Sequence, residues 1–162
     1  NIFVDNHDIH DLDIPCWKSH IAYVAQDVIL FNGSIRENLS YWYAKKTSNN
    51  RLFEVVEKVW LKDFIQSLPE GLETNIGEGG LKFSGLQRQR IAIARALLCQ
   101  PEIIIFDEAT KSIDSQTDEM IMKMLMNEFK NTTRIVVTHN PAHQKMADQI
   151  ITLEKGSLVK SV

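Results

Sequence analysis

The sequence predicts an α/β fold with a mainly parallel sheet flanked by helices, and two observations carry that expectation. Residues 20–25 (HIAYVA), 103–106 (IIIF) and 135–138 (IVVT) are short apolar runs, the pattern of buried strands. Segments with apolar residues at helical spacing lie between them, and strands that alternate with helices assemble into parallel sheets. At 162 residues the chain is long enough for one domain, and its 44% hydrophobic content favours a packed core over disorder.

Residues 1–5 (NIFVD) read as an apolar strand. The first residue is Asn1, not Met, and no charged and apolar leader precedes it, so we expect no signal peptide and a start partway through a domain. After the 20–25 strand, Asn32-Gly33-Ser34 makes a turn, and Ser34 can cap a short helix running through Glu37. Leu52, Val55, Val56, Val59, Trp60, Phe64 and Ile65 predict a helix over 49–68, closed by Pro69 and Gly71. A glycine-rich stretch, 77–85, leads into a helix over 86–98 that stops before Pro101. The IIIF run reads as a strand covered on both faces. An amphipathic helix is expected over 115–129 with Met120, Met124 and Leu125 inward, followed by the buried strand 135–138. Residues 149–153 and 158–161 form a closing hairpin around Lys155-Gly156.

Composition removes several functional classes. Lys and Arg number 18 against 21 for Asp and Glu, and a net charge of −3 is a poor match for a nucleic-acid binder. No apolar run approaches the roughly 18 residues that a membrane helix needs. Cys16 and Cys99 are far apart and lack metal-type spacing, so a thiol-reducing cytosolic setting is the default.

Asp107 and Glu108 end the IIIF run. Acids often follow strands simply because the chain turns into solvent there. A parallel sheet, however, binds ligands at the carboxyl ends of its strands. At such an edge Asp107 could hold Mg²⁺, because hard cations take oxygen ligands, and Glu108 could polarise a water for attack on a phosphate. His139 follows the IVVT run and is either a structural group or a partner for a γ-phosphate and the attacking water. Gln26, after HIAYVA, is either a surface amide or a metal or water ligand. Ser84-Gly85 opens the 86–98 helix, where free N–H groups and the helix dipole favour an anion, unless Ser84 is only an N-cap. Arg88 and Arg90 in its first turn oppose the dipole and so hint at a nearby anion.

In this order the positions resemble the motifs of the nucleotide-binding domain of an ABC transporter, over nearly the whole chain. Gln26 stands at the Q-loop glutamine, and Phe83-Ser84-Gly85-Leu86-Gln87 at the signature motif, followed by Arg88-Gln89-Arg90 and IAIARALL. Residues 103–108 match the Walker B strand with its catalytic glutamate, Ser112-Ile113-Asp114 the D-loop, and His139 the H-loop histidine. Residues 31–39 and 68–80 resemble the exporter type, in which the segment at 74–78 touches the coupling helices of the membrane domains.

The resemblance implies a P-loop NTPase-like core, with an approximate helical subdomain and signature helix over 34–98 and the rest of 1–162 in a partial ATPase core. It implies Glu108 and His139 as catalytic residues, and Gln26, Ser84, Gly85, Gln87 and Asp114 as nucleotide contacts. Asp107 and Gln26 would hold the metal, ATP and Mg²⁺ being the cofactors. The implied partners are a second nucleotide-binding domain, head to tail, and the transmembrane domains of the transporter, with no nucleic acid. The expected setting is the cytoplasmic face of the inner or plasma membrane, where ATP hydrolysis powers export. A degenerate, non-catalytic remnant and a soluble non-transport ABC ATPase are the alternatives.

The chain also departs from the family. It contains no GxxxxGK motif followed by Ser or Thr. We therefore expect the P-loop portion, with a central strand and helix, to be missing, which leaves apolar surface uncovered. Leu86 replaces the second glycine of the signature, adding a branched side chain where a phosphate of the partner's ATP would approach. Phe83 replaces a leucine, Lys111 a small polar residue, and Asn140 the arginine common after the H-loop histidine.

Overall fold

A computed structural model describes residues 1–41, 47–80, 82–111 and 113–161; Ser112 of the D-loop match lies outside them. β1 (Phe3–Val4) and β2 (His7–Asp8) pair as a tight antiparallel hairpin. Asp5 and Asn6 in its turn both have positive φ (47° and 68°), the twist that a two-residue hairpin requires. The strand expected over 1–5 therefore shortens to two residues. α1 (Ile14–Ser19), with Pro15 in its first turn, leads to β3 (Ile21–Val24). Ser34 and Glu37 form a reciprocal capping box that starts α2 (Ile35–Ser40).

The single helix expected over 49–68 is two, α3 (Asn49–Lys58) and α4 (Lys62–Ser67). Trp60 takes a left-handed conformation (φ 54°) between them. Its N–H donates to Glu57 O at 3.0 Å and the Leu61 N–H to Val56 O at 2.8 Å, the paired bonds of a Schellman ending. Arg90 Nη1 donates to the Trp60 carbonyl at 2.9 Å, with its guanidinium over the indole ring, and so holds the break from outside.

Beyond the glycine-rich stretch come α5 (Gly85–Cys99), β4 (Ile103–Asp107), α6 (Ser115–Glu128), β5 (Thr133–Val137) and the single turn α7 (Pro141–Gln144). β6 (Ile151–Glu154) and β7 (Ser157–Ser161) close the chain as the expected hairpin, with Lys155 and Gly156 both at positive φ.

β3, β4 and β5 form one parallel sheet in that order, with Tyr23, Ile105 and Ile135 level across it. On one face Ala22, Val24, Ile104 and Phe106 are buried in a core shared with α5 and α6. The other face is open: Tyr23 is 58% exposed and Ile135 and Val137 48% each. So the IIIF and IVVT runs are covered on one face only. A continuous apolar run has the same composition whether or not a second layer covers it, and the expectation of uncovered apolar surface is met here. On α6 the inward stripe is Asp118, Ile121, Met122 and Leu125, spaced i, i+3, i+4, i+7. Met120 is correspondingly 45% exposed rather than inward, and Met124 is half-buried.

Candidate active site

The three parallel strands bring their carboxyl ends to one edge. β4 ends on Asp107, and Glu108 follows with φ 47°, a left-handed conformation that costs energy for a side-chain-bearing residue. Two backbone bonds hold that turn: the Glu108 N–H donates to Val137 O and the Lys111 N–H to Glu108 O, both at 3.0 Å. The Glu108 side chain is only 12% exposed, and both of its oxygens are occupied. Oε1 lies 2.9 Å from His139 Nε2, and Oε2 lies 2.5 Å from Lys111 Nζ. The structure thus brings Glu108 and His139 together as expected, and adds Lys111, which sequence reasoning had noted only as a replacement.

Asp107 faces the open side of the sheet. Tyr23, level with Ile105 on the neighbouring strand, is its diagonal neighbour and donates its hydroxyl to Asp107 Oδ2 at 2.6 Å. That hydrogen bond pushes the Tyr23 phenol above its ordinary value, with desolvation and the carboxylate charge adding to it.

Gln26 lies two residues beyond β3, at the same edge, with its side chain exposed. Its approach is fixed by polar residues that the sequence reading missed. Buried Gln89 on α5 donates through Nε2 to Ala25 O at 3.4 Å. Arg95, two turns on, donates through Nη1 to Ile29 O (2.8 Å), through Nε to Asn38 O (2.6 Å) and through Nη2 to Asn38 Oδ1 (2.9 Å). Asn38 is fully buried and also exchanges hydrogen bonds with the Phe31 backbone. Burial pushes the Arg95 guanidinium down to about 10, still far above neutrality, so it stays charged. One signal was available: Asn38 sits between Ile35 and Leu39 on the buried stripe of α2, where an unpartnered amide would be costly.

Ser84, Gly85 and Gln87 stand together at the start of α5, and they make no hydrogen bond or ion pair with Gln26, Asp107, Glu108 or His139 among the described residues. Ser84 is a true N-cap, with Gln87 completing the box: Gln87 N–H to Ser84 Oγ at 3.2 Å, Ser84 N–H to Gln87 Oε1 at 2.8 Å. A Cβ on Gly85 would meet nothing within 4 Å, so packing inside this chain does not demand glycine there. Leu86 is half-buried and packs against the core. Asp114 caps α6, its Oδ1 accepting the Thr117 N–H at 2.9 Å, and that bond holds its carboxyl below the usual range.

A parallel sheet with an acid pair and a histidine at its carboxyl edge is the arrangement of a nucleotide-binding α/β domain. A family model described as ABC transporter matches residues 1–111, well over half of the sequence. The chain belongs to the ABC transporter family. It is 38% identical over 160 residues to an ATP-dependent lipid A-core flippase of Idiomarina loihiensis, covering 99% of this chain and 28% of that protein. It is equally identical, over 99% of itself and 27% of the relative, to a multidrug resistance ABC transporter ATP-binding and permease protein of Lactococcus lactis subsp. lactis. Among solved structures it resembles a bacterial Atm1-family ABC exporter with ATP bound, with a TM-score of 0.89 and 33% identity over 98% of this chain and 28% of that one. The chain therefore spans little more than a quarter of the length of these relatives.

Proposed function

We propose that the chain serves as part of the ATP-hydrolysing domain of an exporter, at the cytoplasmic face of a membrane. The observation that carries this reading is Glu108 Oε1 held 2.9 Å from His139 Nε2 at the carboxyl edge of a parallel sheet. In hydrolysis Glu108 takes a proton from the water whose oxygen bonds to the γ-phosphorus, while the bond to the ADP oxygen breaks. His139 orients the carboxylate and offers a donor to the γ-phosphate. Releasing Oε2 from Lys111 frees an oxygen for the proton.

Asp107 and Gln26 supply the hard oxygen ligands that suit Mg²⁺, and Tyr23 takes only Oδ2 of Asp107, so the donor set fits. A bound Mg²⁺ would neutralise charge on the phosphate oxygens of ATP.

Ser84, Gly85, Gln87 and Asp114 fit the nucleotide of a second domain facing this one head to tail. Space over Gly85, with the first N–H groups of α5 beside it, supports approach by an anion from outside the chain. Gln87 then acts by fixing Ser84. Residues of about 34–98, where α2 and α3 pack on α5, form the helical subdomain. The segment at 74–78, pinned by Ile76 N–H to Gly33 O at 2.8 Å, faces the membrane domains. Closing and reopening of the paired domains would drive export.

The test is ATP hydrolysis by the intact protein in membranes. Mg²⁺-dependent turnover, lost in Asp107→Asn, supports the proposal. Absence of turnover in the unaltered protein favours a docking or regulatory domain instead.

A further inference from the structure

Behind His139 lies a buried polar cluster that the proposed chemistry does not use. Asp118 on α6 and His143 on α7 are both buried, at 6% and 7% exposure. His143 Nε2 lies 3.0 Å from Asp118 Oδ1 and 2.9 Å from Oδ2, and its Nδ1 lies 2.9 Å from Thr138 Oγ1. Asn140 donates through Nδ2 to Asp118 Oδ2 at 2.8 Å, and through its backbone N–H to Thr138 Oγ1 at 2.9 Å. Both ring nitrogens and both carboxylate oxygens therefore have partners, which a pair this deeply buried requires.

The two residues tied to this pair, Thr138 and Asn140, flank His139. Asn140 has extended backbone angles (φ −83°, ψ 116°). The chain bends at His139, where the Asn140 N–H returns to Thr138 Oγ1, so anchoring 138 and 140 to the buried pair leaves 139 on the outside of the bend. That is where Glu108 Oε1 meets it. Packing cannot set the direction of His139, whose side chain is 87% exposed. The anchored neighbours can.

We infer that the Asp118–His143 pair, acting through Thr138 and Asn140, is a positioning clamp that sets His139 against Glu108. The inference rests on the proposed ATPase reading. The neutral Asn140 amide shares the buried Asp118 carboxylate with His143.

The experiment compares ATP turnover by intact His143→Leu, Asp118→Asn and His139→Ala proteins and by the His139→Ala/His143→Leu double variant. Asp118→Asn keeps size and shape, so it remains informative if His143→Leu does not fold. His143→Leu or Asp118→Asn should lower kcat about tenfold while the KM for ATP stays within about twofold, because geometry and not binding is lost. In the His139→Ala background the same change should cost nothing further. An unchanged kcat, or an equal loss in both backgrounds, overturns the clamp. Turnover by the unaltered protein separates the two claims, since its absence sinks the ATPase reading alone. The clamp is then read without activity, from the His139 imidazole resonances of the intact protein. Glu108→Gln should shift them in the unaltered chain and not in Asp118→Asn, and an equal shift in both overturns it.

Discussion

Tyr23 donates its phenolic hydrogen to Asp107 Oδ2 across 2.6 Å, from one strand of the sheet to the acidic end of the next. The bond needs the protonated phenol, and it raises the folded-state value above that of the unfolded chain. Its contribution is therefore complete below the ordinary tyrosine range and is lost as pH rises through the raised value. Titrating phenolate absorbance should show one of the three tyrosines ionising late, and Tyr23→Phe should remove that component. Loss of a component that ionises in the ordinary tyrosine range, with no late one, means that the contact does not form in solution.

Arg95 ties the loop after β3 to α2 and α5 through three charge-assisted bonds. Lysine keeps the charge but has no planar fork, so Arg95→Lys leaves the Ile29 and Asn38 acceptors partly unmet. We expect a loss of about 2 kcal/mol in denaturant unfolding. A change below about 0.5 kcal/mol would place the network among the surface contacts that contribute little.

Leu86→Gly separates two views of the signature. As a side chain in the path of a phosphate, Leu86 should slow turnover, and glycine should speed it. Packed against the core, Leu86 contributes to stability instead. The structure favours the second, with about 1 kcal/mol lost in helix propensity and about 1 kcal/mol in packing, and no gain in kcat. Faster hydrolysis by the glycine variant would restore the first view.

Lys111 occupies Glu108 Oε2 in the ground state, and the lysine side chain is 54% exposed. A pair this exposed on one side is worth only about 0.2–1 kcal/mol, so releasing it moves a barrier modestly. Lys111→Ala should raise kcat by up to about fivefold, with little effect on the KM for ATP. A large fall in kcat would instead give Lys111 a direct part in handling phosphate.

Much of this was legible in the sequence because it is local. Strand runs, the helix formers of α5, the Ser34 cap and the Lys155-Gly156 turn each declare themselves within a few residues. Asp107, Glu108 and His139 were readable as strand ends, since a parallel sheet puts such ends on one edge. What escaped depends on distant partners. The break at Trp60 is braced by Arg90, 30 residues on. Tyr23 meets Asp107 only through the strand register, 84 residues apart. Asp118 lies on an otherwise apolar stripe that reads as misplaced until His143 arrives from α7.

The most direct measurement is single-turnover ATP hydrolysis by the intact protein beside its Glu108→Gln variant, with ATP binding followed in parallel. The amide keeps the shape of the side chain and cannot take the proton of the attacking water. Binding should be retained while the rate falls by at least about a hundredfold. A variant that still hydrolyses ATP at a near-normal rate would remove Glu108, and the sheet edge built around it, from the chemistry.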